Sequence, residues 1–326
     1  MSESRWDNLI VGHRGQDGTL LRKQLDADGE SWVGLGRAVV EASAQWDNGI
    51  ASLDLAHAPA WTELLSTVKP KRIFYLAAAH ESSAVADDRP LHARYLNELS
   101  VNTLGVLHAL EAIRTVSPET RFVFASSSFI FAATRDPDAK LDELSPVEPF
   151  NTYANEKLLA GRICEDFRKQ HGLHASVAIL FNHESPYRRA GFFTAHVMKS
   201  IADLVASKTE SFEVGNPDAI VDWSYAGDAV RAMRLIADHD VADTYVVASG
   251  VGHTVRQFLK LAFDRAGLDL DQLMKVDASR LHRQNPCRVG NPQKLIDATG
   301  WAPTLSFPEL VRHLVDHALQ TQPQTH

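Results

Sequence analysis

The first half of the chain alternates short apolar runs with longer stretches whose apolar positions recur every three or four residues. Runs at residues 7–12 (DNLIVG), 31–35 (SWVGL), 72–77 (RIFYLA), 121–126 (RFVFAS) and 175–180 (ASVAIL) predict strands, each too short for a stable helix. The stretches between them predict helices. The longest, over 91–115, carries Leu99, Leu104, Leu107, Leu110 and Ile113, a spacing that lays one apolar stripe against a sheet face. Strands alternating with helices form βαβ units, so the expectation is an α/β fold built on a doubly wound parallel sheet. After residue 182 the pattern changes to turn-rich segments (HESPYRRAG, VGNPDA, HRQNPCRVGNP) among shorter helices. This predicts two units, a sheet domain at 1–182 and a smaller, mainly substrate-binding lobe at 183–326. Such a lobe would cover the carboxyl ends of the strands, where open α/β sheets bind ligands.

Composition adds limits. At 326 residues and 44% hydrophobic the chain can bury a full core, and Trp223 and Trp301 read as anchors of it. A net charge of −8 and a pI near 6.0 leave no basic surface for nucleic acid, which is not an expected partner. No apolar run reaches the roughly 18 residues that cross a bilayer, and the polar MSESRWDN shows no leader pattern, so a cytoplasmic protein is expected. Cys164 and Cys287 stand far apart and in no CxxC motif, which argues against a disulfide scaffold or a zinc site. His313 and His317, four apart on a C-terminal helix, read as a solvated face, and no metal is expected.

Between the first strand and the first helix, IVGHRGQDGTLL places Gly12, Gly15 and Gly18 in a GxxGxxG pattern. Glycines there allow a tight turn and let backbone N–H groups approach a pyrophosphate seated on the helix N-terminus. A second strand follows about 20 residues later, the spacing of a dinucleotide-binding unit. Where an acidic residue would meet the ribose hydroxyls of NAD, VGLGRA offers Gly36 and Arg37. A guanidinium favours a 2′-phosphate, and Arg14 inside the loop supplies a second cation, so the cofactor reads as NADP.

NTYANEKLL sets Tyr153 and Lys157 four apart at the start of a predicted helix, on one face. A nearby ammonium stabilises phenolate, which would lower the tyrosine pKa toward neutrality and make it a general acid or base for alcohol–ketone interconversion. A serine at the end of the strand near 121–126 could hydrogen-bond the same substrate oxygen. Three serines, Ser126, Ser127 and Ser128, stand there, followed by Phe129.

The chain resembles the extended short-chain dehydrogenase/reductases, with their Rossmann-type sheet, and is similar to the GDP-mannose 4,6-dehydratase family over nearly its whole length. The resemblance rests on GHRGQDGTLL, YLAAAHESS, VNTLGVLHALEAIR, PFNTYANEK, LFNHESPYRRAGFFT, GNPDAIVDWSYAGDAVRAM and ASGVGHTVRQFLKLAF. It implies a GDP-linked nucleotide-sugar substrate, oxidised at carbon 4 by NADP, with Ser127, Tyr153 and Lys157 catalytic. It adds Gln16, Asp17, Asp54, Leu55, Ala77 and Ala78 to the cofactor-lining residues, together with Tyr153 and Lys157. To the substrate it assigns Glu81, Ser128, Asn182, Arg189, Asn216 and Arg283. It also implies a homodimer or homotetramer.

The chain departs from the family at instructive positions. The dehydratases read Ala-Ser-Thr-Ser-Glu where this chain, aligned on Ala125, has Ser127 for the Thr and Phe129 for the Glu that moves the carbon-5 proton. A phenyl ring moves no proton. The family's basic TRK and RDW runs are here Thr194-Ala195-His196 and Val221-Asp222-Trp223, leaving Arg188, Arg189, Arg283 or Arg288 as cations for a diphosphate. His80 and Glu81 are candidates to replace the lost carboxylate. An epimerase or a ketosugar reductase therefore stands beside the dehydratase reading, and a catalytically silent NADP-binding protein is the rival from another class.

Overall fold

The structure is a computed structural model that describes residues 6–36, 40–42, 53–79, 89–132, 134, 136, 138–277 and 287–321. Seven strands form the main sheet in the spatial order Thr244–Val247, Ala175–Leu180, Arg121–Ser127, Arg72–Tyr75, Asn8–Val11, Trp32–Leu35, Val40–Ala42. All pair in parallel except the last, which runs antiparallel to its neighbour. The five strands expected from apolar runs are all present. Asn8–Val11 lies between the second strand of the chain and Arg72–Tyr75, so the winding reverses at its carboxyl end and opens the crevice where such sheets bind ligands.

Alternation along the central strands feeds two cores. Ile73, Tyr75, Phe122 and Phe124 face one side, covered by helices Ala58–Val68, Gly105–Val116 and Thr152–His171. Phe74, Val123 and Ala125 face the other, under Gln16–Asp28 and Ala226–Asp238, with Trp301 fully buried among them. Burial of each such side chain contributes about 1.5–3 kcal/mol, which makes the sheet the rigid platform for whatever sits at its strand ends.

The helix expected over 91–115 is Leu91–Leu99, a π-helical turn at Ser100–Leu104, and Gly105–Val116. Apolar spacing does not reveal a π turn, because the stripe re-forms on either side of it. Here it carries Asn102 fully buried toward the helix Thr152–His171.

Beyond residue 182 a third core gathers Val197, Ile201, Phe212, Trp223, Phe258 and Leu314 beside a three-stranded sheet of Gly252–Thr254, Ile220–Tyr225 and Asn182–Glu184. The chain also returns to the main sheet after 182, contributing Ala226–Asp238 and the edge strand Thr244–Val247. TYVV is only four residues long and sits between turns, so its apolar run is weak evidence of a strand. Asp222, wholly buried, ties these parts together. Its carboxylate accepts from the N–H and hydroxyl of Ser249 (2.9 and 2.6 Å) and from the N–H groups of Gly250 and Gly290 (both 3.1 Å).

Candidate active site

The serine-ended strand and the helix Thr152–His171 meet at the crevice. Asn151 caps that helix, its side chain accepting from the Ala154 N–H at 2.8 Å, which sets Tyr153 in the first turn and Lys157 one turn later. The buried Lys157 Nζ lies 5.8 Å from the Tyr153 ring centre and donates to the carbonyl of Ala125 at 2.8 Å. Ser127 hydrogen-bonds Tyr153, whereas the Ser126 hydroxyl donates to the Lys157 carbonyl at 3.4 Å and Ser128 is buried in a short 3-10 turn. Of the three serines, Ser127 is thus the one at the tyrosine.

The electrostatics correct the sequence expectation. Burial pulls the Lys157 amine down to about 7, although the charges of Asp17 and Glu156 hold it up. Burial pushes the Tyr153 phenol up to about 12, against the Ser127 hydrogen bond and the Arg188 charge. In the free chain burial therefore outweighs the Ser127 bond and the Arg188 charge, and the phenol is not lowered toward neutrality.

Buried polar groups outside the expected set surround this pair. Asn102 donates to the Glu156 carboxylate at 2.7 Å and to the Ala79 carbonyl at 2.8 Å, and accepts from the Ala79 N–H at 3.0 Å, clamping the loop at 77–79 to the helix Thr152–His171. Burial, opposed by the Asn102 bond and by Lys157, raises the Glu156 pKa. On the other flank the His183 Nδ1 and Nε2 face the Phe181 carbonyl (2.7 Å) and the Asp17 carboxylate (3.1 Å). Two acceptors facing the ring favour its doubly protonated form. Burial opposes the charge on both members, yet the pair overrides it: His183 is raised and Asp17 lowered. Neither Asn102 nor Glu156 carries a motif of its own; a polar residue inside an apolar helix stripe, and a Glu inside YxxxK, are the available signals.

The glycine loop has the form a dinucleotide needs. Gly12 takes φ +92°, and a Cβ there would meet the Ala77 backbone N at 2.8 Å, while one on Gly18 would meet the Gly12 oxygen at 2.5 Å. Gly15 caps the helix Gln16–Asp28, whose first N–H groups find no side-chain cap. These features fit a pyrophosphate. Gln16 is held by the Ser185 hydroxyl (2.9 Å) and the His183 carbonyl (3.0 Å), Asp54 forms a turn with the Ala56 N–H (3.0 Å), and Leu55 and Ala77 pack on the core edge nearby. Ala78 follows Ala77 in the same loop. Arg14 and His13 both bond the carboxylate of Glu41, and Arg22 lies 3.8 Å from it. Arg37, like His80, Glu81 and Arg283, lies outside the described residues.

On the substrate side, Phe129 stands edge-on to Tyr153 with ring centres 6.4 Å apart and packs on Phe150 at 5.3 Å. Arg189 is exposed, whereas its neighbour Arg188 is half-buried, pairs with Glu184 at 3.3 Å and acts on Tyr153. Asn182 begins the strand paired with Trp223, and the Asn216 side chain accepts from the Asp218 N–H at 3.0 Å in a lobe turn. A cavity of about 370 Å³ lies against helix Phe193–Val205 and the C-terminal helix; it shares Arg188 with the candidate site but none of Ser127, Tyr153 or Lys157.

A Rossmann-type sheet with a glycine loop at its switch point, and Ser, Tyr and Lys together at a neighbouring strand end, define an extended short-chain dehydrogenase/reductase. Within that class the chain belongs to the GDP-mannose 4,6 dehydratase family, whose model matches residues 9–314. GDP-mannose 4,6 dehydratase 2 of Arabidopsis thaliana is 32% identical, over 98% of this chain and 88% of that one. Among solved structures, RMD from Pseudomonas aeruginosa complexed with NADPH superposes with a TM-score of 0.79 at 23% identity, covering 96% of this chain and 99% of that one. UDP-glucose 4-epimerase of Thermus thermophilus, complexed with NAD, gives 0.76 at 23%, covering 97% and 100%. The chain is therefore of the GDP-mannose 4,6 dehydratase family, and it shares its fold with these two structures. Among the described residues no helix is long and apolar enough to cross a membrane.

Proposed function

We propose that this protein is an NADP-dependent enzyme acting at carbon 4 of a GDP-linked sugar, by epimerisation or ketosugar reduction rather than by dehydration. The observation that carries the choice is Phe129. A phenyl ring, not a carboxyl, faces Tyr153 at 6.4 Å, and eliminating water across carbons 5 and 6 needs a positioned acid/base at those carbons. The described carboxylate that acts on Tyr153, Asp17, is engaged by His183.

Gly12, Gly15, Gly18 and the uncapped helix N-terminus would hold the cofactor pyrophosphate, and the nicotinamide would supply hydride exchange with the sugar. The chain's own residues handle the proton. Tyr153 gives or takes it at its hydroxyl, Ser127 orients the same substrate oxygen, and Lys157 supplies positive charge beneath the phenol when protonated. Incubation with GDP-mannose and NADP, followed by mass spectrometry of the product, tests the reading. A new product of unchanged mass, separated from GDP-mannose by chromatography, supports epimerisation. Loss of 18 mass units, about one water, would overturn the role given to Phe129.

The NADP preference rests on Arg14 and Arg37. Arg14 is engaged by Glu41, whose pKa is lowered first by that bond, so a 2′-phosphate competes with this carboxylate for the guanidinium. NADPH is expected to bind more tightly than NADH, and Glu41→Gln to strengthen NADPH binding by about threefold without helping NADH. Equal affinities of the wild type for the two cofactors in fluorescence titration would sink the assignment. For assembly the reading is a homodimer or homotetramer, supported by the exposed Leu91, Tyr95 and Leu96 on Leu91–Leu99 and Leu159 on the catalytic helix; a monomer by light scattering overturns it.

A further inference from the structure

Arg288 differs from three other half-buried arginines in its lack of a carboxylate partner among the described residues. Arg72 pairs with Glu30 and Asp238, Arg234 with Asp28 and Glu30, and Arg188 with Glu184. Among the described residues no carboxylate pairs with Arg288, and its Nε, like those of Arg22 and Arg188, is buried without an acceptor. Its one side-chain hydrogen bond among the described residues is a long one, from Nη2 to the Phe131 carbonyl at 3.4 Å. Burial lowers its pKa, with no opposing anion.

Aromatic rings hold it in place. The guanidinium carbon lies 5.6 Å from the centre of Phe129 and 5.1 Å from that of Phe150, and Phe129 in turn meets the edge of Tyr153. Ring faces attract a cation but do not take the place of acceptors in the guanidinium plane, where its N–H groups point. The backbone beneath is rigid. Arg288 bridges Val221, and two residues on, the Gly290 N–H is clasped by the buried Asp222. A cation has thus been carried to the edge of the reaction pocket, partly desolvated and left without a counter-ion, an arrangement that costs stability unless an anion completes it.

We propose that Arg288 is a specificity-determining residue that binds an oxyanion of the substrate, with Phe129 and Phe150 aiming its fork. The inference rests on the nucleotide-sugar reading and deepens it. The oxyanion belongs either to the diphosphate or to a carboxylate on the sugar, since both match the planar fork of a guanidinium. Phe129 thereby gains a positive role, because the ring that cannot move a proton shapes the side chain that reads the substrate.

The test compares wild type, Arg288→Met and Arg288→Lys in titrations with GDP, GDP-mannose and UDP-glucuronic acid, with NADPH binding as the measure of an intact fold. Arg288→Met is expected to weaken binding about 10- to 100-fold, the scale of a lost charge-assisted bond, while Arg288→Lys, which keeps the charge and the length, recovers part of it. A loss shared by GDP and GDP-mannose identifies the diphosphate; a loss confined to UDP-glucuronic acid identifies a sugar carboxylate. Unchanged affinity for all three probes in a variant that still binds NADPH makes Arg288 a packing residue and overturns the proposal. If the wild type binds none of them, the nucleotide-sugar reading falls first and this one with it. Should the Met variant fail to fold, Arg288→Lys decides alone, and full wild-type affinity there overturns the role of the fork.

Discussion

Tyr153→Phe is expected to lower kcat by about 10²–10⁴-fold, the range typical of a positioned general acid or base, and to leave NADPH binding intact. The substitution removes one oxygen and keeps the ring that Phe129 abuts and Lys157 underlies, so packing gives no reason for the fold to suffer. Retention of more than about a tenth of wild-type turnover would remove Tyr153 from the chemistry. The wild type's pH profile then reports direction. With the phenol pushed up to about 12, the free chain presents it protonated at neutral pH, ready to act as an acid toward a ketosugar. Reductive kcat/KM should therefore hold through neutral pH and fall only as the phenol ionises, whereas an oxidative reaction, which needs the phenolate, should gain with rising pH. A reductive rate that instead climbs from pH 7 to 10 would contradict the acid role.

The parts of this molecule that repeat a period are legible without the fold. Five strands, the glycine loop and the Tyr153–Lys157 pair follow from apolar runs, from glycines at a strand–helix junction and from four-residue spacing, all local properties. What stays hidden depends on contacts between distant segments. The π turn that carries Asn102 leaves the apolar stripe unchanged on both sides, and the partner it serves, Glu156, is 54 residues away. His183 finds Asp17 across 166 residues. The sign of the Tyr153 shift is hidden for a related reason: sequence shows that a lysine is near, but not that the site is dry enough for burial to push the phenol up and pull the amine down. Phe129 shows both sides of this. Its identity is plain in the sequence and its cost to elimination chemistry follows, but its contact with Arg288 needs the fold.

Lys157→Met should give a protein that is more stable and nearly inactive. The amine is buried and pulled down to about 7, from a usual value of about 10.4. Below pH 7 it is protonated in the folded and the unfolded chain alike, and the native state bears the whole cost of burying the charge. Between about 7 and 10.4 the unfolded chain holds a proton that the folded one lacks, so wild-type stability rises with pH across that window and levels off above it. A methionine of similar length removes the charge at every pH, at the cost of the 2.8 Å bond to the Ala125 carbonyl. Taking both together, the variant should gain about 2–4 kcal/mol at pH 6 in denaturant unfolding without cofactor, and the gain should shrink toward pH 10. Activity should fall by about 10²-fold or more, because the phenol loses the positive charge beneath it. A variant less stable than wild type at pH 6 would mean that the ammonium is solvated or paired in the folded chain. The opposite result would mark Lys157 as a residue kept at a cost in stability, which is what a charge serving chemistry rather than packing should look like.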